Sequence, residues 1–243
     1  VRGPMLGTIV PTMQRLWEIV QMLQLDVDRD DSDEESIEVE RAGATTAKFV
    51  VRDNLRHRRD IERAYLAAIR TARQEIIIAS AYFFPGIRFR RALIAASRRG
   101  VAVTLLLQAR IEFRLLHYAS RALYGQLIDA GIVIESYSQS FLHAKVAVID
   151  DRWATVGSSN IDPYSLLMAR EANVVVRDAR FADLLRIELM AMIAQGATRV
   201  APQAWAERGA LAKGMCWVAY GVVRVAMGFM GYGGNEWWRG TRR

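Results

Sequence analysis

The chain has 243 residues, 52% of them hydrophobic and 24% charged, which is the balance of one large or two small globular domains and not of a disordered chain. Its formal net charge of +7 favours anionic partners, whether phospholipid surfaces, nucleic acid or phosphorylated substrates, without ranking them. A single cysteine, Cys216, excludes an internal disulfide and a cysteine-rich metal site and fits a reducing, cytosol-facing location; the three histidines, His57, His117 and His143, are too scattered for a zinc cluster.

The opening Val1-Arg2-Gly3-Pro4 shows no charged segment leading into a compact apolar core, so no cleavable signal peptide is expected. IVPTMQRLWEIVQMLQ at 9–24 places Met13, Leu16, Trp17, Val20 and Leu23 at helical spacing. Nine acidic residues then fall between Asp26 and Glu40. Their spacing matches no calcium loop, and the composition reads as a solvated flexible linker. The body begins near Lys48. An amphipathic helix is expected over 59–73, with Ile61, Tyr65, Leu66, Ile69 and Ala72 on one face. The Ile-Ile-Ile run within 75–82 reads as a strand buried on both faces, and Phe83-Phe84-Pro85-Gly86 breaks it.

Residues 87–99 read as a helix with an arginine-rich polar side, stopped by Gly100. The pattern then predicts a strand at 101–107, a helix at 111–130 stopped by Gly131, and strands at 132–137, 142–149, 153–156 and 172–176. A helix at 180–194 follows. Strands alternating with helices argue an α/β domain with a central, covered sheet. The segment 214–232 is apolar except for Arg224, and Trp237, Trp238, Arg239, Arg242 and Arg243 follow it. Its length could span a bilayer, but Arg224 and four glycines weigh against that. Aromatic and basic flanks suit an interfacial helix; insertion into the bilayer and a core or dimer-interface helix are the alternatives.

The chemistry concentrates in FLHAKVAVIDDRWATVGSSNID, 141–162. In a strand, alternate side chains share a face. Leu142, Ala144, Val146 and Val148 then pack one way, while His143, Lys145, Ala147 and Ile149 point the other. A buried lysine is costly unless an anion accompanies it, so His143 beside Lys145 makes sense with an anion between them. Asp150 ends the strand, Gly157 permits a tight turn, and Ser158, Ser159 and Asn160 supply short neutral hydrogen-bonding groups. That set fits a phosphodiester. Lys145, Ser158 and Asn160 would hold the phosphate oxygens of a five-coordinate transition state. His143 would attack phosphorus as neutral imidazole or protonate the leaving oxygen as imidazolium. The bland alternative is a core histidine beside a snorkelling lysine, which Asp150 and Gly157-Ser158-x-Asn160 make hard to sustain.

His143-x-Lys145-x4-Asp150-x6-Gly157-Ser158-x-Asn160 resembles the HKD motif of the phospholipase D superfamily, and Glu171 fits the place of the family's later glutamate. Ala81-Tyr82-Phe83-Phe84-Pro85, Leu142-His143-Ala144-Lys145 and Val156-Gly157-Ser158-Ser159-Asn160-Ile161-Asp162 extend the likeness to the second half of bacterial cardiolipin synthases. The resemblance implies a phospholipase D-like α/β fold: a mixed sheet flanked by helices, with a C-terminal amphipathic, membrane-associated segment. Its implied divisions are a helix and acidic linker at 1–47, a catalytic half-domain at 48–200 and a membrane-associating tail at 201–243.

It also implies transfer of phosphatidyl through a phosphohistidine, with no metal and no cofactor. His143 would be catalytic. Lys145, Ser158 and Asn160 would bind phosphate, Asp150 would buttress the motif, and Glu171 would orient a histidine across a two-fold-like interface. Phe83 and Phe84 would border a substrate pocket or pack at a strand end. The implied partners are anionic phospholipids, phosphatidylglycerol first, with phosphatidylethanolamine as a second candidate lipid, at the cytoplasmic side of a bacterial inner membrane. Nucleic acid is not expected, since a nuclease has no need of the aromatic, basic tail. Family sites use two facing motifs, and this chain carries one. A homodimer or a separate first half would complete it; a single-motif phosphodiesterase or nuclease acting as a homodimer is the alternative function, and a silent lipid-binding subunit a third.

Overall fold

The structure is a computed structural model, and it describes residues 3–23, 43–53, 57–162 and 170–227. The acidic run, Trp237 and Trp238 lie outside these residues. In chain order the described elements are α1 (Leu6–Leu23), β1 (Thr46–Arg52), α2 (Asp60–Thr71), β2 (Glu75–Ser80), α3 (Ile87–Arg98), β3 (Ala102–Gln108), α4 (Arg114–Arg121), α5 (Tyr124–Asp129), β4 (Val133–Tyr137), β5 (Lys145–Ile149), β6 (Trp153–Gly157), β7 (Glu171–Arg177), α6 (Ala179–Gly196), β8 (Ala197–Arg199), α7 (Pro202–Ala206) and α8 (Ala210–Met227).

The strands form one eight-stranded sheet in the order β1-β7-β6-β5-β2-β3-β4-β8. Only β2, β3 and β4 run parallel to one another; helical crossovers make that possible. The remaining neighbours are antiparallel. The apolar run of β2 sits mid-sheet, between β5 and β3, and is buried on both faces. One face carries Ile76, Ile78, Leu105, Ala147 and Ile149 against the apolar sides of α2, α3 and α5. The other carries Ile77, Leu106, Leu142 and Val148 against Ala182 and Leu189 of α6. The alternation expected along 142–149 is therefore the one observed. Gly131 ends α5 at φ 85°, a left-handed conformation that glycine adopts without steric cost.

Several boundaries differ from the expected ones. The helix expected at 111–130 begins at Arg114 and is broken between α4 and α5. The strand expected from Leu142 begins at Lys145, because the segment before it bonds elsewhere: Ala81 N donates to the Ala144 carbonyl at 3.1 Å and Gln108 Nε2 to the Leu142 carbonyl at 3.4 Å. Three elements had no counterpart in the sequence pattern: β1, β8 and α7. Helix α8 lies against α4, and Ala219 and Val223 share a buried cluster with Phe84, Leu116 and Ala119. Its outer face leaves Leu211, Met215, Trp217, Val218, Val222 and Val225 exposed. Among the described residues no helix is long and apolar enough to cross a membrane.

Candidate active site

The register brings one edge of the sheet to a polar focus. β1 ends there, β7 begins there, β6 ends there, β5 begins there, and β2 and β3 end there. Arg52 stands opposite Glu171, Gly157 opposite Asn173, and Ser80 opposite Lys145. Arg52, Ser80, Lys145, Glu171 and Asn173 lie on the same face and are all buried. Buried polar groups need partners, and most of these have them within the site.

Lys145 is 6% exposed, and its Nζ donates to the His143 carbonyl at 2.9 Å. Burial pushes the ammonium pKa down, and the carboxylates of Glu171, Asp162 and Glu112 oppose that shift. His143 is exposed just ahead of β5, its ring stacked on Phe141 with centroids 5.9 Å apart. The motif thus holds an anchored cation below an accessible imidazole.

The Gly157-Ser158-Ser159-Asn160 turn is fastened from two sides. Ser158 N donates to the Ala172 carbonyl at 3.0 Å, and Ala172 N donates back to Ser158 Oγ at 3.1 Å. Asn173 Oδ1 accepts from Ser159 N at 3.4 Å, while its Nδ2 donates to Thr155 Oγ1 at 3.1 Å. Gly157 has a different job from the one expected. Its φ is not in the left-handed region; instead, a Cβ there would collide with the Asn173 side chain and the Ala172 carbonyl. The turn continues into Ile161, which bridges to Phe83, and the Ile161 carbonyl accepts from Phe84 N at 2.7 Å.

Sequence reasoning missed Arg52. Its side chain is fully buried, and Nη1 donates to Ser159 Oγ at 3.1 Å. An arginine at the end of an apolar strand, just before Asp53, is the signal that could have found it, since fully buried arginine is rare unless paired. Asn173 was missed as well.

Glu171 sits beside Arg52 and acts on Lys145. Asp150 is at the far end of β5, five residues and so about 16 Å from Lys145 at strand rise. At φ 49° its carboxylate accepts from the N–H groups of Arg73, Gln74 and Glu75 at 2.9–3.1 Å. Phe83 is buried and lines a small cavity beside the site, whereas Phe84 packs on Tyr220 of α8 at 5.3 Å between ring centroids. A far larger groove, about 1,760 Å³, runs along β1 and α2 and includes none of His143, Lys145, Ser158, Asn160 or Glu171. His57 is engaged with Asp60 at 2.7 Å. Among the described residues no three His, Cys, Asp or Glu groups are placed to share a metal ion.

This sheet and this edge define a phospholipase D-like domain. A family profile described as cardiolipin synthase, PLD-like domain, matches residues 65–193, and the chain belongs to that family. It is 46% identical over 158 residues to cardiolipin synthase B of Escherichia coli, a match covering 65% of this chain and 38% of that protein. It is 32% identical over 141 residues to the minor cardiolipin synthase of Bacillus subtilis, covering 54% of this chain and 35% of that one. The chain therefore spans less than half the length of these relatives. Among solved structures, the phospholipase D family member Nuc from Salmonella typhimurium aligns with TM-score 0.53 at 22% identity, over 63% of this chain and 97% of that one. The phosphatidylserine synthase of Haemophilus influenzae aligns with TM-score 0.58 at 13% identity, over 80% and 49%. These two likenesses concern the fold.

Proposed function

We propose that the chain is a phosphatidyltransferase half-site of the cardiolipin synthase type. The observation that carries this is the buried Lys145 held beneath an exposed His143, next to a doubly fastened Gly157-Ser158-Ser159-Asn160 turn. In the proposed reaction a neutral imidazole attacks phosphorus. A P–N bond forms, and the P–O bond to the first alcohol breaks. A second imidazole, protonated, gives its proton to that leaving oxygen. It then takes the proton of the second alcohol, whose oxygen attacks phosphorus and breaks the P–N bond. Lys145, Ser158 and Asn160 bind the phosphate oxygens and stabilise the charge that builds there. Asp150 clamps the far end of β5, and Glu171 orients a histidine across the interface.

Two imidazoles are needed and one motif is present, so the partner is a second copy of this chain or a separate first half. A face for it is at hand. Helix α6 buries Ala182 and Leu189 against the sheet but exposes Phe181, Leu184, Ile187 and Met190, and Val156, paired with Val146 of that cluster, is exposed on the same side of the sheet. The outer face of α8 is proposed to lie on an anionic membrane surface, the cytoplasmic side of a bacterial inner membrane, with phosphatidylglycerol and phosphatidylethanolamine as candidate substrates. The net charge of +7 and an apolar row beside Arg224 support that reading.

The test is mass spectrometry of products after incubation with phosphatidylglycerol in mixed micelles, with and without phosphatidylethanolamine, beside H143A. Cardiolipin dependent on His143 is the expected result for a self-completing dimer. No product from a folded, micelle-bound chain means the first half must be supplied. Phosphatidic acid without cardiolipin, or cleavage of an oligonucleotide, overturns the transferase assignment in favour of a phosphodiesterase.

A further inference from the structure

His143 is exposed, yet the backbone that carries it is held on every side. Three successive carbonyls are engaged: that of Leu142 accepts from Gln108 Nε2 at 3.4 Å, that of His143 from Lys145 Nζ at 2.9 Å, and that of Ala144 from Ala81 N at 3.1 Å. The donors belong to β3, to β5 and to the residue just past β2. These bonds settle where the Cα of His143 stands. They leave free the two side-chain torsions that aim the imidazole, and the second of these is broad for an aromatic ring. The ring is met instead by Phe141, with the two planes 18° apart and the centroids 5.9 Å apart. Among the described residues, that stacking is what the imidazole has in place of a hydrogen bond.

The placement follows from the chain. Residues two apart in an extended segment share a face, so Phe141 stands in one row with His143 and Lys145. Leu142 between them is 3% exposed and packs into the opposite core. Phe141 is 45% exposed and belongs to none of the buried clusters. An exposed phenylalanine is ordinary by itself; one lying nearly parallel to the imidazole of the motif has a neighbour to act on. Their separation is within the range of ring–ring attraction. The imidazole cannot turn about its second torsion without lifting off the phenyl face.

We propose that Phe141 is a positioning residue: it holds the plane of the His143 imidazole so that a ring nitrogen, and not a C–H edge, faces the phosphorus. The proposal rests on the phosphatidyl-transfer reading of the motif. The lone pair of an imidazole nitrogen lies in the ring plane, and so does its N–H. A P–N bond forms only when phosphorus lies close to that plane, and a proton reaches the leaving oxygen only along it. Lys145 is anchored by its bond to the His143 carbonyl, so the fold sets where the phosphate sits. The ring plane is the remaining freedom, and Phe141 removes it. Phe141 acts through His143 and touches no reacting atom. Its effect therefore falls on the five-coordinate state, where nitrogen and phosphorus are close, and not on binding of a tetrahedral phosphate.

The test reads the ring and its alignment separately, without turnover. In the isotope-labelled full chain the His143 ring resonances are assigned with H143Q, and the order of the ring is measured by relaxation. F141L keeps an apolar side chain at an exposed position, so the melting temperature should not move; F141Y keeps the aromatic ring. Loss of the phenyl ring-current shift and lower order at His143 in F141L, both restored in F141Y, are the expected results. Orthovanadate, which takes up five-coordinate geometry, and tetrahedral inorganic phosphate are then titrated against the same resonances. F141L should weaken vanadate by about tenfold and leave phosphate within about twofold, and F141Y should bind both as the parent does. Unchanged ring order in F141L overturns the positioning role, as does equal weakening of the two anions. Vanadate affinity that F141Y does not restore overturns it too, because the aromatic ring is then not the cause. A parent chain whose His143 responds to neither anion strikes at the motif reading itself, and the positioning role falls with it.

Discussion

Asp150 belongs to the motif by sequence, yet it sits at the far end of β5 from His143, and this separates two roles by experiment. Its carboxylate takes three backbone N–H donors from 73–75, and its own φ is 49°. A hydrogen bond to a charged group contributes about 1.5–3 kcal/mol net. The donors are at a partly exposed turn, where water replaces part of that contribution. The left-handed backbone adds about 1 kcal/mol against alanine. Asp150→Ala is therefore expected to cost about 3 kcal/mol of unfolding free energy. Asp150→Gly loses the same bonds without the backbone strain and should cost about 1 kcal/mol less. Asp150→Asn keeps one acceptor oxygen and tolerates the left-handed region, so its cost should be about 1 kcal/mol. Urea unfolding with unchanged m values measures all three. Anion binding read at His143 should be unaltered in each folded variant. Asp150→Ala within about 0.5 kcal/mol of the parent would refute the clamp. Loss of anion binding in a fully stable Asp150→Asn would refute the separation of roles.

Four further outcomes are expected. Gly157→Ala should destabilise by about 1–3 kcal/mol in thermal unfolding, because the new Cβ must displace Asn173 and with it the bond to Ser159 N. Arg52→Met should cost about 2 kcal/mol, since it removes the buried charge-assisted bond to Ser159 Oγ; Arg52→Lys should recover part of that in urea unfolding. The folded-state pKa of His117 lies near 4, below its ordinary 6.5, so the unfolded chain takes up the proton first as pH falls. Stability should be full above pH 6.5 and decline from 6.5 towards 4, and His117→Gln should remove that portion of the acid sensitivity. Replacing Trp217 and Val218 together by serine should leave the melting temperature unchanged, because both are on the exposed face of α8. Sedimentation with phosphatidylglycerol vesicles should weaken by about tenfold or more.

Much of this site is legible in the amino-acid pattern because β5 obeys a strict period of two. Ala147 and Ile149 go to one core, Leu142 and Val148 to the other, and that alone sends the odd-numbered Lys145 to the polar edge. The apolar run of β2 and the glycine stops after α3 and α5 are local signals of the same kind. β1 is different. Its partner β7 is more than a hundred residues away along the chain, and nothing within TAKFVVR announces that pairing. A short strand ending in arginine reads as the start of a charged loop, since arginine is ordinarily exposed. β8 has three residues, too few for any periodicity, and the break between α4 and α5 falls within a continuous helical pattern.

Five buried polar residues at the site share a position, which explains why Lys145 was found and Arg52 was missed. Arg52, Ser80, Gln108, Lys145 and Glu171 are each the first or last residue of a strand, and all five strand ends lie on one edge of the sheet. A buried charged group in mid-strand needs a partner of its own, as Glu135 in the middle of β4 has in Arg199 of β8. At a strand end it remains near solvent and near the charges of adjacent strand ends, so Glu171 can stand between Arg52 and Lys145. Antiparallel pairing then converts residues remote in sequence into neighbours. Glu171 was identifiable only through its spacing from Asn160, whereas its contact with β1 comes from register. Single-strand patterns can point to each cation separately, but the sheet order is what makes them one site.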